Sequence, residues 1–202
     1  MVGIIDYDAG NLHSVENALK KLGQKSVVTS DAETLLSCER VILPGVGAFG
    51  DAMRLLTEHH LPEVIEEIVR REIPLLGICL GLQLLFEESE ESPGVKGLGL
   101  LKGKILRIPD REGTLKVPHM GWNDLTYPNP GRLFSDVEEG SFVYFVHSYY
   151  LKAEEPSVVT ARTAYGVTID ASVEHGNFFG CQFHPEKSGD VGMKILQNFL
   201  VS

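Results

Sequence analysis

Cys79 stands in Gly77-Ile78-Cys79-Leu80-Gly81, between an apolar run, Ile73 to Leu76, and a segment of helical character, Leu82 to Glu88. A strand that passes into a helix through so short a turn needs glycine on both sides, because a side chain there would meet backbone. The turn holds its central residue out at the C-terminal edge of a sheet. Such a turn is a nucleophile elbow, here carrying a thiol. The start of a helix favours the thiolate, the form that attacks carbonyl carbon. A cysteine is otherwise a small buried core residue, so a partner base has to separate the two readings. Phe183-His184-Pro185-Glu186-Lys187 supplies one. In an extended segment residues two apart share a face, which would let the Glu186 carboxylate orient and charge-stabilise the His184 imidazole. The two stretches lie far apart in sequence, as members of such a triad are free to do.

Pro44-Gly45-Val46-Gly47-Ala48-Phe49-Gly50 follows a strand-like run but lacks the Lys-Ser/Thr ending of a P-loop and the spacing of a dinucleotide fingerprint. It reads better as an oxyanion strand. A tetrahedral intermediate needs N–H donors about 3 Å from its oxygen, and Leu80, next to the thiol, can supply one. Gln83, one helical turn beyond Cys79, projects toward the same place. The seven histidines show no ligand spacing: His59-His60 fall in a polar, helix-like stretch, and His13, His119, His147 and His175 are scattered. The three cysteines form no C-x-x-C pair, so neither zinc nor another metal is expected, and Cys38 and Cys181 read as small core residues. Glu87-Glu88-Ser89-Glu90-Glu91 reads as a solvated helix end. Pro118-His119-Met120-Gly121-Trp122-Asn123 places the only tryptophan beside Met and His, a composition suited to a partner surface.

Taken together, Gly77 to Gly81 with Gln83, His184-Pro185-Glu186, and Pro44 to Gly47 resemble the class I glutamine amidotransferases, whose triad is Cys, His and Glu. Three further stretches, Asp6-Tyr7-Asp8-Ala9-Gly10-Asn11-Leu12, Pro118 to Asn123, and Tyr144-Phe145-Val146-His147-Ser148-Tyr149, resemble the histidine-biosynthetic branch of that family, and the likeness covers essentially the whole chain. The resemblance implies a triad of Cys79, His184 and Glu186 and an oxyanion hole from Leu80, Val46 and Gly47. The glycines would let a peptide rotate between donating and non-donating states. It further implies that Gln83 binds the amino-acid end of glutamine and that the segment with Ser148 and Tyr149 holds the substrate by backbone contacts, leaving His147 structural. Asn11 and Trp122 would lie in loops facing a cyclase subunit, a (β/α)8 barrel bound as a heterodimer. That subunit would use the ammonia to make imidazole glycerol phosphate and an aminoimidazole carboxamide ribotide, and no cofactor is implied. A glutaminase of another pathway, such as pyridoxal phosphate or anthranilate synthesis, is a second reading; the Pro118 to Asn123 stretch argues against it. A non-enzymatic regulatory or redox-sensing module is a third, opposed by the complete triad.

Elements of an ordinary α/β domain must position these residues. A chain of 202 residues holds one domain with a sizeable core, and no linker or composition break divides 1–202. With 28 acidic against 18 basic side chains, the formal charge of -10 repels phosphate backbones. That disfavours nucleic acid and anionic membrane as partners and favours a small molecule or a protein. An odd number of cysteines, no N-terminal signal segment and no apolar run of about 18 residues predict a cytoplasmic protein. Strands at Val2 to Ile5, Ser26 to Thr29, Val41 to Leu43 and Ile73 to Ile78 alternate with helices at Ser14 to Leu22 and Asp51 to Arg71, the latter broken near Pro62. This alternation predicts a parallel sheet covered on both faces, which the resemblance makes flavodoxin-like. From about residue 100 short β pieces predict antiparallel additions to the same sheet, closed by a helix from Val191 to Leu200.

Overall fold

The computed structural model describes residues 1–110 and 113–202. The first half alternates as its apolar spacing predicts: β1 (Val2–Ile5), α1 (Leu12–Lys21), β2 (Ser26–Thr29), α2 (Ala32–Leu36), β3 (Arg40–Gly45), α3 (Phe49–Glu58), α4 (Leu61–Arg70), β4 (Leu75–Cys79) and α5 (Leu80–Leu84). The second half is β-rich, with β5 (Glu88–Ser89), β6 (Gly103–Arg107), β7 (His119–Asp124), β8 (Phe142–His147), β9 (Tyr149–Ala153), β10 (Val159–Tyr165), β11 (Val167–His175) and β12 (Phe178–Cys181), ending in α6 (Gly189–Val201).

The main sheet has seven strands in the order β10-β11-β12-β4-β3-β1-β2. The run from β12 to β2 is parallel, and β10 and β11 add antiparallel at one edge. Parallel strands are buried on both faces, so they read as continuous apolar runs. Successive residues of β1, β3 and β4 feed opposite cores. Ile5, Val41, Leu43 and Leu75 join the side chains of α2 to α5, whereas Ile4, Ile42, Leu76 and Ile78 join those of α1 and α6.

Three expectations are corrected. Of the strands after residue 100 only β10, β11 and β12 join the main sheet, and β12 pairs parallel with β4; β5, β6 and β9 form a separate three-stranded sheet, and β7 and β8 a two-stranded one. The Asp51 to Arg71 helix breaks at His59 and His60, with His60 at φ 55, so these histidines are not helical. Pro62 lies in the first turn of α4, where its missing N–H costs nothing. The helix after the elbow begins earlier and ends sooner than Leu82 to Glu88, because Leu98 N–H and Leu100 N–H bond the carbonyls of Leu84 and Leu85 (2.8 and 2.9 Å) and lead the chain away. Among the described residues no helix is long and apolar enough to cross a membrane.

Candidate active site

The elbow forms where β4 meets α5. A Cβ on Gly77 would lie 2.7 Å from the Gly81 carbonyl oxygen, and one on Gly81 would lie 1.9 Å from that of Leu43, so both positions exclude any larger residue. Between them Cys79 takes φ 54 and ψ -108, a conformation costing a non-glycine residue about 1–3 kcal/mol and characteristic of functional sites. The neighbouring strands decide what surrounds it. Gly45 of β3 is the register partner of Cys79, and Cys181 of β12 is the partner of Ile78. One neighbour therefore ends in the glycine-rich segment and the other leads directly to His184.

His184 Nδ1 meets Glu186 Oε1 at 2.8 Å, with both side chains buried. The reason differs from the one expected. Pro185–Lys187 is a 3-10 turn, so a tight turn, rather than strand alternation, brings the carboxylate back beside the ring. The turn is clamped to β8: His184 N–H donates to Tyr144 O (2.9 Å), Ser188 Oγ donates to His184 O (2.7 Å), and Tyr144 N–H donates to Ser188 Oγ (2.9 Å). Burial by itself lowers the imidazole pKa, but hydrogen bonding and charge from Cys79 and Glu186 outweigh it and raise the value to about 9. These contacts favour the protonated form of the ring. Nε2, on the Cys79 side of the ring, is buried and has no hydrogen bond of normal geometry among the described residues, which leaves it as the nitrogen free to exchange a proton.

Besides His184, the sulfur has two polar neighbours among the described residues. Gln182 Nε2 donates toward it at 3.7 Å, and the thiol points to Val146 O at 3.9 Å. Gln182, fully buried just past the end of β12 and two residues before His184, belongs to the site although no motif marks it. Gln83, buried beside Cys79, donates from Nε2 to Tyr149 O (3.0 Å) and to Gln182 Oε1 (2.9 Å). Both amide hydrogens are committed, so Gln83 can offer a ligand only its Oε1 acceptor. Cys79, Gln83, Ser148, Tyr149 and His184 line one pocket of ≈ 350 Å³, at the lower end of the range of about 300–1,000 Å³ for small-molecule sites. Val46, Gly47 and Leu80 line it as well; Gly47 sits at φ 98, where only glycine is unstrained. Tyr7, buried, donates to Pro44 O at 2.9 Å and anchors the segment leading there.

The acidic run is corrected. Glu91 is no solvated helix end: its carboxylate accepts from Phe49 N–H at 2.8 Å and lines the pocket, and the neighbouring Ser92 Oγ accepts from Gly50 N–H at 2.9 Å. Glu88–Ser89 is strand β5 and Glu87 accepts from Gly103 N–H at 3.2 Å; nothing in a run of glutamates distinguishes the carboxylates that turn inward. Pro118 to Asn123 is likewise no loop, since His119 onward forms β7. The strand turns Met120 and Trp122 outward, 66% and 55% exposed, with Phe142 of β8 (56%) in the same outward row. Asn11 lies at the start of α1 with no capping bond from its side chain, by a crevice shared with Val46, His184 and Glu186. Among the described residues no group of three or more His, Cys, Asp and Glu is placed to hold a metal ion. Cys38 and Cys181 are buried and free.

Solved proteins share this fold across the whole chain. A structure titled "Crystal structure of glutamine amidotransferase" superposes with a TM-score of 0.76 at 22% identity, covering 99% of this chain and 97% of the other. "Structure of PurLQS from Thermotoga maritima" gives 0.75 at 25% identity with the same coverage. In sequence, "Imidazole glycerol phosphate synthase subunit HisH" of Geobacillus sp. (strain WCH70) is 52% identical over 202 residues, 98% of this chain and 95% of that protein. The subunit of the same name from Moorella thermoacetica is 51% identical over 198 residues, 98% and 93% of the two chains. Residues 3–202 match the family described as "Glutamine amidotransferase class-I", and with relatives so similar over its length the chain belongs to that family.

Proposed function

We propose that this chain is the glutaminase subunit of an imidazole glycerol phosphate synthase, hydrolysing L-glutamine to glutamate and ammonia for a cyclase subunit of histidine biosynthesis. The observation that carries the reading is a thiol held in a strained elbow, facing a small pocket beside a buried His-Glu pair, in a chain about half identical to proteins bearing that subunit name.

Cys79 attacks the side-chain carboxamide, and the oxygen that gains charge is met by the N–H of Leu80 and by an N–H of the Val46 and Gly47 segment. His184 protonates the leaving ammonia through Nε2 and then takes a proton from the attacking water. Glu186, bonded to Nδ1, holds the tautomer. Hydrolysis of the thioester returns the thiol. Gln83 Oε1 and the Glu91 carboxylate are acceptors that suit the ammonium of the substrate, and the Ser148 and Tyr149 segment closes the pocket around its carboxylate end. The whole chain acts as one glutaminase unit in the cytoplasm, in a heterodimer with a (β/α)8 barrel. The outward row of Met120, Trp122 and Phe142, together with the segment of Asn11, is the surface the barrel covers, since an exposed apolar patch is the composition of a protein interface. Released ammonia then passes to the partner for the lyase step that gives imidazole glycerol phosphate.

The test is co-purification with the cyclase followed by an ammonia assay. The pair should release ammonia from glutamine, and Cys79→Ala should release none while the complex persists. Ammonium salt at alkaline pH should restore product formation in the variant. Release at the wild-type rate from Cys79→Ala would remove the thiol from the mechanism.

A further inference from the structure

The inner side of the β7-β8 hairpin carries two histidines with no part in the triad. His119 and His147 are register partners across the hairpin, both buried, and His119 Nδ1 lies 2.9 Å from His147 Nε2. His147 Nδ1 lies 2.8 Å from Tyr149 O, and His119 Nε2 lies 3.3 Å from Asn123 Nδ2. The directions of these bonds follow from the atoms at the ends. A carbonyl only accepts, so His147 Nδ1 carries a proton and, in a neutral ring, Nε2 does not. His119 Nδ1 must then be the donor, leaving His119 Nε2 to accept from the Asn123 amide, whose second hydrogen goes to Ala164 O at 3.0 Å. Protonating either ring would set donor against donor, so the chain of bonds admits only neutral rings. Burial pulls in the same direction, lowering His119 to about 4 and His147 to about 3.

The chain does not stop at Tyr149. Its carbonyl also accepts from Gln83, Gln83 bonds Gln182, and Gln182 donates toward the sulfur of Cys79. Packing alone does not account for the imidazoles. His119 is stacked between Phe145 and Tyr165, with centroids at 4.7 and 4.0 Å, a slot that a phenyl ring would fill without the cost of burying polar nitrogens.

We propose that His119 and His147 are positioning residues: the oriented imidazole pair fixes the Tyr149 carbonyl and, through Gln83 and Gln182, the acceptor that receives glutamine and the donor that faces the thiol. The inference rests on reading the pocket as a glutamine site. His119→Phe keeps both stacks and removes the donor to His147, whereas His119→Asn keeps an N–H near the Nδ1 position and loses the ring. In the complex with the cyclase, His119→Phe should raise the KM for glutamine about tenfold with kcat within about threefold, the scale of one buried hydrogen bond. His119→Asn should recover most of that loss. A purely structural role would instead lower the melting temperature in both variants and leave KM unchanged. Ring 15N shifts of the wild-type protein at neutral pH should show both residues as the neutral tautomer protonated at Nδ1, a readout available even if a variant fails to fold. An imidazolium or an Nε2-protonated ring at either position would overturn the proposal. A wild-type complex that releases no ammonia from glutamine overturns the glutaminase reading itself. An active wild type beside a His119→Phe of unchanged KM overturns the positioning role alone.

Discussion

Gly45 and Cys79 are direct register partners on adjacent parallel strands, so the backbone that leads into the candidate oxyanion segment is laid against the nucleophile by the sheet itself. The approach is close enough that a Cβ at Gly45 would meet Tyr7 Oη at 2.7 Å, Gly81 N at 2.8 Å and Leu80 Cβ at 2.9 Å. Gly45→Ala should therefore destabilise the fold by about 1–3 kcal/mol. It should also lower kcat at temperatures where the protein stays folded, because the elbow and the oxyanion segment are pushed apart. Denaturant titration with steady-state kinetics checks both; a folded variant with wild-type kcat would show that the segment takes no part.

His184→Ala should cost more than Glu186→Ala, since the first removes the proton carrier, worth about 100- to 10,000-fold in rate, while the second leaves the ring misoriented. The two side chains share one hydrogen bond of 2.8 Å, so the double variant should lose little beyond His184→Ala. Rates for both singles and the double decide the matter, and losses that multiply would mean independent residues.

The raised pKa of His184 makes a pH prediction with a definite sign. Burial alone lowers it; contact with Cys79 and Glu186 takes it to about 9. The ring should stay protonated through neutral pH, and the stability it contributes should be complete below the unfolded value of about 6.5 and vanish as pH rises through about 9. Cys79→Ala and Glu186→Gln should each move the titration to lower pH. NMR titration of the His184 ring measures it, and an unmoved midpoint in both variants would contradict the assignment of causes.

Glu91→Gln keeps an oxygen for the Phe49 N–H but removes the negative charge that the pocket presents to an ammonium. KM for glutamine should rise about tenfold or more, with the melting temperature nearly unchanged. Equal KM values would place the substrate ammonium elsewhere.

Trp122→Ala should weaken association with the cyclase or the stimulation it gives, while the Cys79 thiol keeps its reactivity toward an alkylating probe. The side chain is half exposed and touches Tyr144 edge-on at 6.0 Å between centroids, so the fold should tolerate its loss. Titration calorimetry and partner-stimulated turnover read the effect, and unchanged values would take Trp122 out of the interface.

Local patterns carried the parallel half of the fold and the thiol. Apolar runs broken by glycine mark β1, β3 and β4, and the flanking glycines of Cys79 reflect a backbone clash that any protein making this turn must avoid. His184 and Glu186 were legible as a pair, although a tight turn and not strand alternation joins them. What tertiary structure decided were the meetings of residues distant in sequence. Which β pieces join the main sheet depends on long-range pairing that spacing does not encode, and so β6 to β9 fell into separate sheets. Glu91 turned inward because the start of α3 offered N–H groups to its carboxylate. His119 and His147 looked scattered along the chain, yet the register of one hairpin puts their rings 2.9 Å apart. Sequence alone determines which side chains are capable of chemistry here; the strand registers of the folded chain determine which of them share a site.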